Sequence, residues 1–216
     1  MKKILTVLLV VVAAFAAWTT HKAYSEDLIK LTDEAVMFSG EFTQGSSQRL
    51  KFYLKKNPTT KSVVFSSNGG VLVEGINVGF ILNDKLMTAY VMEGDKCVSA
   101  CAFAFLGATR QFVDGALAFH AAWVDKTDFK SKNKMFLEGQ MVGGYTLYYV
   151  MKMGYSSQLA YFIQAKTNKD TFLVLSVGDL KTLFVSKDVA KTPLAKYNNW
   201  PIKDPEWLKT RIKKEF

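Results

Sequence analysis

The chain has 216 residues, 49% of them hydrophobic, and a formal net charge of +9 at neutral pH. This length holds one ordinary domain with a real core and excludes a second large domain. No nucleic-acid-binding motif accompanies the positive charge, so we expect no nucleic-acid partner.

The first 25 residues are typical of an export signal. Lys2 and Lys3 precede an apolar stretch from Ile4 to Trp18, and a polar segment follows as far as Ser25. The apolar stretch is shorter than the roughly 20 residues that span a bilayer, which favours cleavage after about Ser25 over an uncleaved membrane anchor. We therefore expect an exported protein, which is anchored in the membrane if the signal is not cleaved.

The charge is concentrated towards the C-terminus. Loss of residues 1–25 removes three lysines and no acid, so the formal charge falls from +9 to +6. We interpret residues 192–216 as a basic extension and residues 26–191 as the domain. The extension is either a solvated surface or a weak attachment to an anionic membrane or cell-wall polymer. Its last basic residues are Lys209, Arg211, Lys213 and Lys214.

Hydrophobic periodicity predicts alternating strands and helices in the domain. Strands are predicted at 34–42, 61–67 and 85–93, and helices at 47–57, 71–84 and 96–108. The strand at 61–67 runs directly into Asn68-Gly69-Gly70, and a helix begins after these glycines. Backbone N–H groups are therefore expected to be exposed at this turn.

The second half of the domain continues the pattern. Residues 110–122 predict a hairpin across Asp114-Gly115, with His120 near the end of its second strand. Two helices follow between 133 and 166, with breaks predicted at Gly143-Gly144 and at Gly154. Ser156 is the predicted N-cap of the second helix.

The segment "GDKCVSACAFAFLGA", residues 94–108, contains both cysteines of the chain. Its C-x3-C spacing has no second ligand pair for zinc and differs from the C-x-x-C of redox sites. In an exported protein with two cysteines, we expect a disulfide between Cys97 and Cys101. Residues four apart on a helix have Cα atoms about 6 Å apart, which a disulfide tolerates.

Ser99, between the cysteines, is the candidate nucleophile. At about 100° per residue it points about 200° away from Cys97 on a helix, so the disulfide would leave it uncovered. A hydroxyl at a helix start also lies near unpaired N–H groups, which favour a developing oxyanion. The alternative is an ordinary N-cap. Removal of the signal also removes His21, so His120 is the only histidine that remains. It is either a general base or a structural residue.

Three blocks of the sequence resemble the Clp protease proteolytic subunit and its relatives of the Clp/crotonase superfamily. They are "SSNGGVLVEGINVGFIL", "KCVSACAFAFLGATRQFVDGALAFHAA" and "SSQLAYFIQAKTNKDTFLVLSVGDL". The resemblance runs from about residue 38 to 189. It is strongest to the exported, periplasmic Clp-like proteins of bacteria that carry a Cys-x-Ser-x-Cys block. It implies a single-domain α/β protein with the Clp/crotonase-like repeated β-β-α spiral fold, in the periplasm or cell envelope.

The resemblance also implies a catalytic site. The acid that it suggests is Asp170, and Asp179 and Asp125 remain alternatives. Asn68 replaces the family's usual proline before the glycine pair, and Cys101 stands where relatives have an unlinked residue. The implied members are Ser99 as nucleophile, His120 as base, Asp170 as acid, and Gly69, Gly70 and Ala100 as the oxyanion hole.

The implied function is that of an exported serine hydrolase, most simply a peptidase acting on peptides or proteins without a cofactor or metal. Relatives assemble through the helices after the histidine strand, and residues 135–155 are rich in Met, Tyr and Phe, so we expect a homo-oligomer. An ATPase partner is not expected, because ATP is not supplied outside the cytoplasm. A catalytically inactive binding or assembly protein of the cell envelope is the alternative. Acyl-CoA chemistry is disfavoured by export.

Overall fold

A computed structural model describes residues 27–122, 132–185 and 206–214. The expected signal and much of the basic extension lie outside these ranges. Within them, no helix is both long enough and apolar enough to cross a membrane.

The described elements alternate between strands and helices as the sequence pattern predicts. The predicted helix at 96–108 is divided, because residues 96–98 form a strand before the helix begins. In chain order the elements are β1 (Leu28–Lys30), β2 (Ala35–Phe42), α1 (Ser46–Lys56), β3 (Ser62–Gly70), α2 (Leu72–Asp84), β4 (Thr88–Val91), β5 (Lys96–Val98), α3 (Ala100–Leu106), β6 (Arg110–Val113), β7 (Ala116–Phe119), α4 (Lys132–Lys152), α5 (Ser157–Lys166), β8 (Phe172–Val174), α6 (Val177–Leu183), α7 (Glu206–Lys209) and β9 (Ile212–Lys213).

The strands form a branched sheet around β3. The first part of β3 pairs in parallel with β4, and Ser67 near its end pairs with Cys97 of β5. Beyond these, β4 pairs in parallel with β6, and β5 pairs in parallel with β7. Each helical crossover is therefore followed by one strand in each branch. The α/β fold with a repeated β-β-α unit is confirmed.

The hairpin predicted for residues 110–122 is wrong. Its two strands lie in different branches of the sheet, because β6 pairs with β4 and β7 pairs with β5. The turn between them is bonded to the preceding strand connection: Gly115 N–H donates to the Val91 carbonyl and Ala116 N–H to the Asp95 carbonyl. Each of the two strands therefore pairs in parallel with a strand of the preceding β-β-α unit, and β6 and β7 do not pair with each other.

The helices after β7 differ from the prediction in one respect. α4 continues without a break through Gly143-Gly144, and Cβ atoms at these two glycines would meet open space. The predicted break at Gly154 is present, and the Ser156 hydroxyl caps α5 by accepting the N–H of Gln158. The two glycines by themselves therefore do not end the helix.

The described end of the chain joins the sheet. β9 pairs antiparallel with β8, which pairs antiparallel with β7. Arg211, just before β9, contacts the Asp179 carboxylate at 3.0 Å. Residues 206–214 of the basic extension therefore complete one branch of the sheet.

Helices α2 and α3 approach each other without intervening side chains. A Cβ atom at Gly75 would lie 2.1 Å from the Ala100 carbonyl oxygen, and one at Gly79 would lie against the hydroxyl of Tyr149. The buried Tyr149 hydroxyl donates to the Phe103 carbonyl at 2.7 Å, and burial raises its pKa well above the ordinary value. This close contact fixes the start of α3 relative to α2.

A carboxylate on α2 caps the N-terminus of α1. The N-cap residue of α1 is Gly45, which has no side chain for this purpose. Glu74 instead accepts the N–H of Gly45 and the N–H of Ser47, each at 2.9 Å, and the Ser47 hydroxyl at 2.6 Å. Burial raises the pKa of Glu74, but these hydrogen bonds from Ser47 and Gly45 outweigh burial, so its pKa is lowered.

Replacing this cap is expected to destabilise the protein in a pH-dependent way. Glu74→Gln should lower the free energy of unfolding by about 1.5–3 kcal/mol at pH 7, because hydrogen bonds to a charged acceptor are lost. The carboxylate's contribution is present above the ordinary glutamate pKa of about 4.3 and is lost as the pH falls through the lowered folded value. Urea unfolding at several pH values should therefore show the two proteins converging in acid. A constant difference down to pH 3 would contradict this account.

Candidate functional site

Ser99 occupies a strained turn between β5 and α3. Its backbone has φ 56° and ψ −121°, which is a costly conformation for a residue with a side chain. The Ser99 N–H donates to the Ala118 carbonyl at 2.9 Å, and its carbonyl accepts the N–H of Phe103 at 3.2 Å. A strand, a strained serine and a helix are the geometry of a nucleophile elbow, which exposes the hydroxyl.

The N-cap alternative for Ser99 has no support in its side-chain contacts. Ser99 stands at the N-cap position of α3, but its hydroxyl makes no capping hydrogen bond to that helix. Ser156 and Ser176, in contrast, each accept a backbone N–H at the start of their helices. The strain at Ser99 is therefore not offset by a cap.

The disulfide predicted between Cys97 and Cys101 is confirmed, with the Cα atoms 5.1 Å apart. Cys97 lies on β5 and Cys101 on α3, so the bond joins the two arms of the Ser99 turn rather than two residues of one helical face. Both cysteines are fully buried. The disulfide therefore lies behind the turn and leaves Ser99 uncovered.

The glycine turn lies directly against Ser99. Gly69 has φ 104°, and a Cβ atom there would lie 2.6 Å from Ser99 Cβ and 3.1 Å from the Ala100 nitrogen. Gly70 has φ 132°, and its Cβ atom would lie 2.3 Å from the Phe42 carbonyl oxygen. Both positions therefore exclude any other residue, as a close approach between backbones requires.

The three residues expected to form an oxyanion hole differ in their hydrogen bonding. Gly69 N–H donates to the Ser67 hydroxyl at 3.0 Å, so it is used within the turn. Ala100 is the first residue of α3, and N–H groups of a first helical turn have no partner within the helix. The Gly69 N–H is therefore engaged within the turn, whereas the Ala100 N–H has no partner within its own helix.

His120 follows β7 and is oriented by the backbone. Its Nδ1–H donates to the Ala121 carbonyl at 2.8 Å, because a carbonyl can only accept. The ring packs edge-on against Phe172, with 5.4 Å between the centroids. In the neutral imidazole this bond places the proton on Nδ1 and leaves Nε2 able to accept a proton.

One cavity of about 450 Å³ brings Ser99, His120 and the glycine turn together. Ser99 and His120 are not hydrogen-bonded to each other, and the hydrogen bond that the ring does make runs from Nδ1 to Ala121. The predicted nucleophile, base and glycine turn therefore face the same space. The residues that line this cavity are Glu41, Asn68, Gly70, Val71, Leu72, Ser99, Phe103, His120 and Ala122.

The structure does not bring Asp170 to His120. Residues 168–171 form a tight turn in which Asn168 and Thr171 bond to each other's backbone, and Asp170 N–H donates to the Asn168 side chain. The Asp170 carboxylate is 72% exposed and pairs with Lys169 at 3.1 Å. Its place along the chain suits an acid, but the turn directs its side chain to solvent.

The two alternative acids do not take its place among the described residues. Asp179 accepts hydrogen bonds from Ser176 and Arg211 at the start of α6. Burial raises the pKa of Asp179, but the hydrogen bonds from Arg211 and Ser176 outweigh burial, so the pKa is lowered overall. Asp125 lies outside the described residues.

Within the described part of the chain, no group of three or more His, Cys, Asp or Glu side chains could hold a metal ion.

Thr167 is a positioning residue that the sequence did not reveal. Its hydroxyl accepts the N–H of Ala121 at 2.8 Å and donates to the Ile163 carbonyl at 2.6 Å. The residue is buried and lies at the end of α5. It therefore ties the backbone after His120 to a helix, and Ala121 in turn orients the imidazole.

Comparisons with known proteins add a similarity of shape. No family model matches the chain, and no curated protein matches its sequence. Two of the similar solved structures are variants of the 1510-N membrane-bound stomatin-specific protease. The first has 15% identity and a TM-score of 0.49 over 79% of this chain and 86% of that one. The second, in complex with a substrate peptide, has 15% identity and a TM-score of 0.48 over 83% and 84%.

Removing the Thr167 hydroxyl is expected to loosen His120. Thr167→Val should lower the free energy of unfolding by about 1–3 kcal/mol, because the Ala121 N–H loses a buried acceptor, whereas Thr167→Ser should stay close to the parent protein. NMR of the imidazole should show a shifted and broadened His120 signal in the valine variant alone. An unchanged imidazole signal in Thr167→Val would rule out the positioning role.

Proposed function

We propose that this protein is an exported serine hydrolase that cleaves peptides, with Ser99 as nucleophile and His120 as general base. The observation that carries the proposal is the strained Ser99 turn, which faces one cavity together with His120 and the glycine turn. Strain of this kind persists only where the surrounding structure enforces it, and it is common at catalytic residues.

The proposed reaction is acyl transfer. His120 Nε2 takes the hydroxyl proton as Ser99 Oγ bonds to the substrate carbonyl carbon, and N–H groups of Gly70 and Ala100 bind the oxyanion. The C–N bond then breaks as the imidazolium returns the proton to the leaving amine. Water releases the acyl group by the same route. Ser99 and His120 must approach each other when substrate binds, which is common for catalytic hydrogen bonds that are long in the free enzyme.

In this proposal the Ala121 carbonyl orients the imidazole in place of a carboxylate. It accepts the Nδ1 proton at 2.8 Å and so selects the tautomer that a base requires. Asp170 could act as the acid only if the 168–171 turn opened. We therefore propose a Ser99–His120 pair with a backbone third member and assign Asp170 no catalytic role.

We also propose export to the periplasm or cell envelope, and assembly as a homo-oligomer. A buried disulfide is typical of oxidising compartments and agrees with the export signal expected in residues 1–25. Large apolar side chains on α4 are exposed in the single chain, and a second copy of the chain would cover them in a homo-oligomer. They include Phe136, Leu137, Met141 and Tyr148.

The second candidate function is a binding or assembly protein that keeps the fold without catalysis. Two observations favour it: Ser99 and His120 are not hydrogen-bonded, and no described carboxylate contacts the imidazole. The two candidates make opposite predictions for labelling of Ser99.

A fluorophosphonate probe is expected to label the protein at Ser99. Ser99→Ala should abolish labelling, and His120→Ala should slow it by at least about 10²-fold, because the base is lost. Asp170→Asn should label at the parent rate, and Ser157→Ala is the matched serine control. Mass spectrometry locates the adduct, and thermal unfolding verifies that each variant folds. Absence of labelling in the folded parent protein would favour the binding protein.

The disulfide is expected to hold the strained turn in working order. Because both cysteines are buried, the double variant Cys97→Ala/Cys101→Ala is a cleaner test than added reductant. Closing so short a loop contributes about 2 kcal/mol in the chain-entropy description, so the unfolding free energy should fall by about that amount. The labelling rate of Ser99 should fall with it, by about tenfold or more if the turn relaxes by 1.4 kcal/mol.

Equal labelling rates with and without the disulfide, at the reduced stability, would show that the bond stabilises the fold only. Faster labelling in the double variant would show that the disulfide restrains the site. Either result would overturn the role given to it here.

A further inference from the structure

We propose that Glu41 makes this site select peptides that carry a lysine or arginine side chain next to the scissile bond. The inference deepens the proposed function and rests on it, since it names the substrate class of the same cavity. Its basis is the position of one carboxylate beside the glycine turn.

Glu41 is placed there by an irregularity in the sheet. Pairing between β2 and β3 advances from Ser39 opposite Ser66 to Glu41 opposite Gly69, so β3 carries one extra residue. Such bulges redirect side chains and are frequent next to active sites. The Glu41 side chain lies against Gly70: its Cγ would be 2.8 Å from a Cβ atom there. The Glu41 side chain therefore occupies space that a side chain at position 70 would fill.

The Glu41 carboxylate has no partner among the described residues. Glu41 is exposed, and it takes part in none of the side-chain hydrogen bonds or ion pairs found in the described ranges. Glu74 and Asp179, in contrast, are engaged: Glu74 caps α1, and Asp179 binds Arg211. An unpaired carboxylate at the mouth of a cavity is free to bind a ligand cation.

Glu41 is also the one acidic side chain among the described residues that line the Ser99 cavity, and no lysine or arginine is among them. Asn68 and Gly70 also line a second cavity of about 280 Å³, which Glu41 lines as well. Among the residues that the structure describes, Lys96 is the one basic residue lining that second cavity, and it forms no ion pair with Glu41. A cation beside Ser99 therefore meets Glu41 without a competing positive side chain in the same cavity.

Binding tests this inference without relying on catalysis. The full chain with Ser99→Ala is titrated with capped heptapeptides of alanine and serine that carry a central lysine, glutamine or glutamate, using an uncharged dye and fluorescence anisotropy. We expect the lysine peptide to bind about fivefold more tightly than the glutamine peptide, as one exposed ion pair allows, and the glutamate peptide to bind most weakly. The lysine preference should fall as salt is added.

Adding Glu41→Gln should remove the lysine preference, and Glu41→Lys should invert it in favour of glutamate. Glu93→Gln is the matched control, because Glu93 is exposed and lines neither cavity. The same lysine preference in Glu41→Gln, or no binding of any of the three peptides, would overturn the assignment.

The two proposals fail in distinguishable ways. If the fluorophosphonate does not label the parent protein but the Ser99→Ala protein prefers the lysine peptide through Glu41, the hydrolase proposal fails, and with it the position next to a scissile bond, whereas selection of cationic peptides by Glu41 stands. If labelling at Ser99 occurs and the peptides show no dependence on Glu41, the hydrolase stands and charge selection fails.

Discussion

The contact between α2 and α3 at Gly75 is the constraint on which the site depends. α2 begins immediately after the glycine turn, and α3 begins immediately after Ser99. A Cβ atom at Gly75 would lie 2.1 Å from the Ala100 carbonyl, so no side chain fits between the two helix starts. Since packed interiors leave no slack, any larger residue there would separate the glycine turn from Ser99. One glycine on a helix therefore sets the spacing of a site built by two turns.

The β-β-α repeat explains why residues distant in sequence converge at this point. β3, β5 and β7 are parallel neighbours, so their carboxyl ends lie along the same edge of the sheet. The glycine turn, Ser99 and His120 each stand at one of these ends. In α/β sheets the space beyond such ends is where ligands bind. The strained φ of Ser99 is tolerated because the strand before it pairs within the sheet, the helix after it packs against α2, and the disulfide links the two.

Sequence reasoning succeeded where structure is local and failed where it depends on a distant partner. The helix predicted at 47–57, the glycine turn and the cap at Ser156 carry their own signals. The hairpin was wrong because alternation identifies a strand without identifying its neighbour. Asp170 occupies a suitable place along the chain, yet its orientation is set by a four-residue turn. The roles of Glu74 and Thr167 were missed because their partners lie 27 and 46 residues away.

In the proposed reaction, the charges around Ser99 connect recognition to catalysis. A neutral carbonyl at His120 would compensate an imidazolium less than a carboxylate would, and Glu41 beside Gly70 would oppose a negative charge in the proposed oxyanion hole. Two unit charges 4 Å apart interact by about 1 kcal/mol in water and about 4 kcal/mol near a protein surface, so closure of a substrate over the cavity strengthens this repulsion. A lysine or arginine side chain paired with Glu41 would cancel it when the oxyanion forms. The substrate's cation would thus act in the transition state as well as in binding, and a charge preference should be larger in kcat/KM than in affinity.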